Sequence, residues 1–488
     1  MNKLIKIVFL FAIISLSFLR FSAQENTFDW SSPVEKTEEE KLSKIVSLGE
    51  KGTLVLLKNK NKKEVRVDAY DKELKFLHSR NIATKGTILE CFRLGESLAV
   101  FYLYFNPISK KDELNCKLVT TEGEKEVKIA ESVVIKNLHN SFKVNVSPNF
   151  NYLVAVTEKP HKEGKKEVVV LSLFDKDLNL IRSKSYMMNS IYSMKRKINV
   201  PIVNNKGEIY ILKRYRAKTQ SQYYVLNYTT SNAITFSLFK LNYKPILDAQ
   251  YALDNEGDLL VGGTFSSPNS KKAEGVYIAK FHASSKPQFR QEYPFRQETM
   301  VAFVSEKSLR KNGLGLPNFK TRELLVQKEG YALILEHRER LANAKSSVKI
   351  DKRDGIIVLS FDQKGNYIWD VALHFNQYDK EDNGYWNSYI CYNDTANNRL
   401  IVAYNEVGYF DKKADNNFGE KTTVGARKIT ISNQGNIEKG IVKDCFVGAP
   451  MDLIISPKVS LFNSTEHFII AEPQDKKLYI LGEVGVEG

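Results

Sequence analysis

The sequence predicts an all-β fold, a β-propeller in which eight blades are favoured and seven are possible. Apolar segments typical of strands recur about every 45 to 75 residues, and an all-strand unit repeated at such a period is the pattern of a propeller. Each segment is followed by a strand, a polar turn and another strand. The 24 Tyr and 27 Phe residues also favour strands over helices.

The clearest copy of the repeat is IIVLSFDQKGNYIWDVALHF, residues 356–375. An apolar strand enters a turn at Asp362–Gly365, and another strand leaves it through Tyr367 and Trp369. The second strands of the blades are predicted to begin at residues 52, 97, 151, 208, 258, 331, 399 and 467. Near-continuous apolar runs are expected where neighbouring blades cover both faces of a sheet.

Short polar turns are predicted between the first and second strands of four blades. Their Asn, Asp and Gly residues tolerate the left-handed backbone that tight hairpins require. The segments are SPNFN (147–151), NNKGE (204–208), DNEGD (254–258) and DTANN (394–398). In a propeller these turns share one face, termed here the turn face. The loops between second and third strands and the connections between blades share the opposite face, termed the loop face.

The last repeat, residues 468–484, supplies only two clear strands. We therefore expect an N-terminal strand, from residues 26–34 or 42–49, to complete this blade and close the ring. A tandem of β-sandwich domains is the alternative fold, because strand spacing alone does not close a ring.

The predicted organisation of the chain has three parts and one insertion. A helical pattern from Glu298 to Lys311, followed by Gly313 as a C-cap, predicts a helical insertion between blades five and six. The parts are a signal peptide (1–23), a polar leader that could hold a late-pairing strand (24–41), and a β-propeller (42–488) with the insertion at 295–320.

The N-terminus has the pattern of a secretory signal. Lys3 and Lys6 precede an apolar run from Ile7 to Leu19, and cleavage is expected after Ala23. The protein is therefore predicted to be exported, and to be periplasmic, secreted or associated with the cell surface; an uncleaved anchor is the alternative. No later run of 18 apolar residues occurs, so no transmembrane segment is expected in the remainder.

The chain is basic, and most of its positive charge is predicted to lie on the loop face. Removal of the signal lowers the net charge from +15 to +12, and the loops between second and third strands sum to +9. Such a face favours an anionic glycan or an acidic protein partner, whereas nothing predicts a specific nucleic acid. A solubilising surface without a ligand is the alternative.

Two basic clusters are the candidate ligand-binding residues of this face: Arg214 and Arg216 in KRYR, and His337, Arg338 and Arg340 in EHRER. Arg offers paired planar donors that match carboxylate, sulfate or phosphate groups. On an alternating strand the same residues are also typical of ordinary solvated charges at a blade edge.

Asp379, Glu381 and Asn383, followed by Gly384, resemble the beginning of a calcium-binding loop. The twelfth position is Ile390, where such a loop requires a bidentate Glu, so a polar turn is the default interpretation and no metal is expected. The four cysteines lack CxxC spacing and are predicted to be buried free thiols: Cys91, Cys116, Cys391 and Cys445.

No catalytic motif is visible among the seven scattered histidines, and neither GxSxG nor a Gly-rich phosphate loop is present. We therefore expect a non-enzymatic binding or scaffold protein without a cofactor. The alternative is an enzyme acting on a polyanionic glycan, with acidic and basic residues of separate blades converging on the loop face.

The segment LSFDQKGNYIW resembles the Asp-x-x-x-Gly-x-x-x-Trp blade motif of quinoprotein-type propellers. Asp362, Gly365 and Trp369 carry the resemblance, although Gly365 follows the Asp by three residues and not four. The tryptophan is present in this repeat alone. The resemblance implies a propeller blade and does not imply a quinone cofactor.

Overall fold

A computed structural model provides the architecture of the chain. The residues that it describes are 28–37, 39–59, 62–120, 123–133, 141–159, 166–191, 201–216, 221–342, 349–379, 388–394, 397–407, 423–441, 454–455, 459, 461–462, 467–472 and 478–484. The predicted signal peptide therefore lies outside the described residues.

Eight antiparallel sheets follow one another along the chain and form the eight blades. Two short strands precede them, β1 (Phe28–Trp30) and β2 (Val34–Glu35). Blade 1 contains β3 (Lys41–Ser47), β4 (Thr53–Lys58), β5 (Glu64–Tyr70) and β6 (Phe76–Ala83). Blade 2 contains β7 (Thr87–Leu94), β8 (Ser97–Asn106), β9 (Lys111–Val119) and β10 (Glu124–Val133). Blade 3 contains β11 (Ser141–Val146), β12 (Tyr152–Lys159), β13 (Lys166–Asp175) and β14 (Leu180–Ile191). Blade 4 contains β15 (Ile202–Val203), β16 (Ile209–Arg216), β17 (Ser221–Tyr228) and β18 (Ile234–Phe239).

The second half of the ring repeats this pattern. Blade 5 contains β19 (Gln250–Leu253), β20 (Leu259–Phe265), β21 (Gly275–Phe281) and β22 (Phe289–Pro294). Blade 6 contains β23 (Phe319–Gln327), β24 (Gly330–His337), a short β25 (Glu339–Ala342), β26 (Lys349–Asp362) and β27 (Tyr367–Asp379). Blade 7 contains β28 (Tyr389–Asp394), β29 (Arg399–Val407), β30 (Thr423–Ser432) and β31 (Ile437–Ile441). Blade 8 contains β32 (Ile454–Ile455), β33 (Leu461–Phe462), β34 (His467–Glu472) and β35 (Leu478–Val484).

This arrangement confirms the predicted eight-bladed propeller. All eight predicted second strands are found, as β4, β8, β12, β16, β20, β24, β29 and β34. Apolar cores lie between neighbouring blades rather than inside separate sandwiches, and one of them joins Ile45 and Val55 of blade 1 to Ile470 and Leu481 of blade 8. Because each sheet is covered on both faces, β20 and β21 are buried along their whole length.

The N-terminal strands close the ring. β1 pairs antiparallel with β35, with Phe28 opposite Val484 and Trp30 opposite Gly482, and β2 also pairs with β35. A Cβ atom at Gly482 would stand 2.6 Å from the Trp30 ring, so this close approach requires glycine. The closing strand therefore comes from residues 26–34, one of the two expected segments, whereas residues 42–49 contribute to blade 1.

The turns have a recurrent geometry. In the Asp362 turn, the Gly365 amide donates to the Asp362 carbonyl at 3.0 Å, and the Asp362 side chain accepts from the Lys364 and Asn366 amides at 2.8 Å each. Equivalent turns begin at Asp71, Asp175, Asn204, Asp254 and Ser432. Their fourth residue has a left-handed backbone, supplied by Gly in four turns but by buried Leu74 and Leu178 in two.

Two short helices, α1 (Gln297–Val301) and α2 (Glu306–Asn312), lie in the predicted insertion. The Ser305 hydroxyl caps α2 by accepting from the Ser308 amide, and Met300 and Leu309 enter the core between blades 5 and 6. None of the helices among the described residues is long and apolar enough to cross a membrane.

Trp369, the tryptophan of the predicted blade motif, connects blades 6 and 7. Its indole nitrogen donates to the Asn433 carbonyl at 2.8 Å, and its ring lies against Gly435. The tryptophan of the motif therefore links blade 6 to blade 7 by a hydrogen bond and a ring contact.

Cys91, Cys116 and Cys391 are buried free thiols. β8 separates the strands of the first two, as expected, and Cys445 lies outside the described residues.

Candidate functional site

Described parts of three segments lie close together at the loop face of blade 6. They are Phe303 of the helical insertion, the residues that follow β24, and Ser388 before β28. The predicted residues His337, Arg338 and Arg340 lie here, where β24 ends and β25 begins. Long connections on a rigid scaffold are a common location of binding residues.

The base of the site is a buried ion pair. Arg353 of β26 is 1% exposed and donates from Nη1 to Glu336 Oε1 at 2.5 Å, and Glu336 is 5% exposed. The Ser388 hydroxyl donates to the same carboxylate oxygen at 2.6 Å. Burying two charges is costly unless they are paired and hydrogen-bonded, and this carboxylate meets both conditions.

Gln377 extends the base into blade 7. Its side-chain nitrogen donates to the carbonyls of Ser388 and Asn405 at 3.1 and 2.9 Å, and its side-chain oxygen accepts from the Ser388 amide at 2.7 Å. Ser388 has a φ of 111°, a backbone conformation that L-residues adopt only when their surroundings hold it. The network therefore fixes where blade 7 begins.

His337 is buried beside this base. Its Nδ1 lies 3.4 Å from Asp354 Oδ2, and its ring centroid lies 5.4 Å from that of Phe319. Phe303, from the insertion, packs against Phe319 at 4.8 Å and against His374 at 4.4 Å. Burial lowers the pKa of His337. The pKa of His374 is also lowered, because its ring packs on Phe303 and is partly desolvated there although the side chain is exposed.

Arg338 and Arg340 add positive charge to this site. The backbone amide of Arg338 donates to the Asn318 carbonyl at 3.0 Å, which fixes the chain where it leaves β24. The Arg338 side chain is half-buried and that of Arg340 is exposed. Lys352, which pairs with Asp354 at 2.8 Å, lies on the strand opposite.

The other predicted cluster is on a different blade. Arg214 lies on β16 of blade 4, with its side chain exposed and its backbone opposite Tyr223. Blade 5 separates it from blade 6. Arg216 ends the same strand, and its side chain lies outside the described residues.

Sequence reasoning missed Glu323, on the inner strand β23. Water reaches part of its side chain, but protein atoms surround the carboxyl group, and this desolvation raises its pKa to about 7. The nearby Tyr389 hydroxyl is buried without a hydrogen-bond partner among the described residues. The sequence signal was a single acid beside Arg322 in a strand of mixed character, which did not distinguish it from a solvated residue.

The segment that resembles the beginning of a calcium-binding loop starts at the end of β27. Asp379 is the last residue of that strand, whereas Glu381 and Asn383 lie outside the described residues.

A different acidic group, Asp254, Glu256 and Asp258, clusters at the turn of blade 5. The Lys280 ammonium lies 2.6, 3.1 and 3.2 Å from these carboxylates, so a protein cation already contacts all three.

The sheet pairings define the class of this protein as an eight-bladed β-propeller. No protein-family model matches the chain, and no curated protein sequence matches it.

Similar solved structures include the WD40 domain of SCAP from fission yeast, with 9% identity, a TM-score of 0.39, and coverage of 93% of this chain and 94% of that one. The Penicillium chrysogenum α-L-arabinanase has 10% identity, a TM-score of 0.33, and coverage of 72% and 98%. Prolyl oligopeptidase B from Galerina marginata has 11% identity, a TM-score of 0.36, and coverage of 75% and 46%.

Proposed function

We propose that this chain is an exported, non-enzymatic binding protein that holds an anionic glycan or an acidic protein partner on its loop face. The observation that carries the proposal is that Arg338 and Arg340 follow Glu336 in the chain, where β24 ends and β25 begins. Glu336 itself belongs to the buried network with Arg353, Ser388 and Gln377. A guanidinium on a rigid base loses less conformational freedom when it binds an anion.

The state of the neighbouring acids and bases favours binding over catalysis. Glu336 is committed to Arg353 and Ser388, and burial keeps His337 neutral against Phe319. A general acid or base must reach the substrate, and neither group is placed at the surface to do so. The exposed groups here supply charge for holding a ligand.

Heparin affinity at several salt concentrations tests this proposal. Replacing Arg214, Arg216, Arg338 and Arg340 together by Glu is expected to weaken binding about 100-fold or more at low salt and to flatten its salt dependence, because close opposite charges are lost.

The matched control replaces four exposed lysines of the turn face by Glu: Lys72, Lys75, Lys176 and Lys364. Equal losses from both sets would reject the loop-face site, since net charge alone would then explain binding.

Glu323 favours the second candidate function, an enzyme acting on a polyanionic glycan. A carboxyl group with a pKa of about 7 lies near the Tyr389 hydroxyl, which has no hydrogen-bond partner among the described residues. This combination is used in general acid–base chemistry. Incubation with acidic polysaccharides, followed by reducing-end analysis, separates the two functions. Turnover abolished by Glu323→Gln would establish the enzyme, and heparin binding without turnover would support the binding protein.

Export is tested separately. The full chain, expressed with a C-terminal tag in a bacterium, is expected outside the cytoplasm with an N-terminus at residue 24. An intact Met1 on cytoplasmic protein would reject export.

A further inference from the structure

A central cavity opens on the turn face, opposite the proposed loop-face site. One half, of about 450 Å³, is lined by the inner strands of blades 1 to 5 where they end at their turns. A second half, of about 530 Å³, is lined by blades 3 to 7. The halves share Pro148, Ala252 and Leu253 and are therefore continuous. Their size is that of a small-molecule site.

The first half combines aromatic rings with cations. The Lys44 ammonium lies 4.3 Å from the centroid of the Phe92 ring, and the Arg93 guanidinium lies 4.6 Å from that of Phe150. Tyr251 contributes a third ring to the wall. Phe92 and Phe150 thus each have a positive charge beside them within the same wall.

Among the described residues, the charged side chains that line this half are Lys44 and Arg93. Lys44 donates to the Cys91 carbonyl at 3.0 Å and lies 3.6 Å from Glu90, and Arg93 Nε donates to the Gly95 carbonyl at 2.9 Å. These contacts hold both cations in place. No carboxylate of the described residues lines this half, and Glu90 is not part of the wall.

The second half carries charges of both signs. Asp254, Glu256 and Lys206 line it, together with the amide side chains of Asn205, Asn255 and Asn393. The Asn393 side-chain oxygen is buried without a hydrogen-bond partner among the described residues. The cavity is therefore polar along its length, basic and aromatic at blades 1 and 2 and acidic at blade 5.

We infer that this cavity binds an aromatic carboxylate. The carboxylate group of the ligand lies at Arg93 and Lys44, where it forms a charge-assisted pair with the Arg93 guanidinium. The aromatic ring of the ligand packs against Phe92, Phe150 and Tyr251. Asp254 and Glu256 repel the acid group and so fix the orientation of the ligand. This site is separate from the loop face and takes a different class of ligand.

Naphthalene-2-carboxylate is a suitable probe, and naphthalene-2-carboxamide is a neutral control of the same shape. In calorimetric titrations of the full chain, the carboxylate is expected to bind at one site and the carboxamide about tenfold more weakly. Equal affinities, or no binding of the carboxylate at millimolar concentration, would overturn the inference.

Substitutions at Arg93 and Pro148 locate the site, and a substitution at Arg310 is the control. Arg93→Gln is expected to weaken binding of the carboxylate about tenfold, and Arg93→Lys is expected to weaken it less. Arg310→Gln changes an 83% exposed side chain of α2 and is expected to leave the affinity unchanged. Pro148 is exposed and belongs to both halves, so Pro148→Trp fills their junction without disturbing the core and is expected to abolish binding.

Unchanged affinity in Pro148→Trp would reject the cavity as the site, even if Arg93→Gln failed to fold. The loop-face variant with four Arg→Glu changes is expected to retain full affinity for the probe, which separates this test from that of the proposed function.

Discussion

The Tyr479 hydroxyl donates a hydrogen bond of 2.6 Å to the Asp68 carboxylate, although 411 positions separate the two residues. Tyr70 donates to the same Tyr479 hydroxyl at 2.9 Å, and Arg66 holds Asp68 through two nitrogens at 2.8 and 3.0 Å. Burial raises the pKa of Tyr479 well above its usual value. This buried group joins blade 8 to blade 1.

Tyr479→Phe is expected to lower the free energy of unfolding by about 1 to 3 kcal/mol, because buried Asp68 loses a donor. Urea denaturation measures the change. Tyr243→Phe, at an 87% exposed side chain, is the matched control, with an expected change below about 0.5 kcal/mol. Equal stability of the two variants would contradict a role for this hydrogen bond in ring closure.

Deleting residues 24–36 is expected to cause self-association. The deletion removes β1 and β2 and leaves the edge of β35 without its partners, and an unpaired edge pairs with other chains. Light scattering during size-exclusion chromatography measures the result. A monomeric deletion variant with an unchanged melting temperature would show that these strands are dispensable.

Glu323 is expected to make stability depend on pH. Because its folded-state pKa is raised from 4.5 to about 7, the folded chain keeps a proton that the unfolded chain has released across this range. The free energy of unfolding therefore falls as pH rises through this window.

Glu323→Gln is expected to remove that decline and to be more stable than the wild type by about 1 to 3 kcal/mol at pH 8. The lower part of this range allows for the water that reaches the side chain and screens its charge. Denaturation curves from pH 4.5 to 8 measure the difference in stability, with Glu306→Gln on exposed α2 as control. A parallel decline in both variants would assign the pH dependence to other groups.

Gly→Ala substitutions at Gly365 and Gly313 distinguish the stability cost of backbone strain from that of steric overlap. Their φ angles are 77° and 78°, but a Cβ at Gly365 would lie 2.4 Å from the Phe289 ring, whereas nothing lies within 4 Å at Gly313. Gly313→Ala is expected to cost about 1 kcal/mol and Gly365→Ala about 1 to 3 kcal/mol more, measured by thermal unfolding. Similar losses would mean that Phe289 moves aside freely.

The buried cysteines are expected to be unreactive in the native protein. Burial raises the pKa of Cys91 to about 12, and it also raises that of Cys391. A thiol reagent at pH 8 should therefore label none of Cys91, Cys116 and Cys391 before denaturation. In denaturant without reductant it should count four thiols. A count of two would indicate a disulfide.

The local features of this fold were predictable. Second strands such as β20 and β24 are continuous apolar runs, and the Asp362–Gly365 turn carries the residues that its backbone requires. Both signals lie within a few residues of one another, so they do not depend on distant parts of the chain.

The candidate site was predictable only as a location. EHRER marks the loop end of β24, but the burial of His337 depends on Phe319 and on Phe303 from the insertion. Glu323 gave no usable signal, because its raised pKa results from desolvation by neighbouring strands.

The sequence by itself determined the repeating strands, their turns and the excess of positive charge, because periodicity, turn chemistry and composition are local properties. Only the tertiary structure decided that β1 completes blade 8, that Asp68 meets Tyr479, and that Lys44 and Arg93 share a wall with Phe92 and Phe150. Each of these contacts joins different blades, and their geometry follows from ring closure, which fixes the positions of all eight blades together.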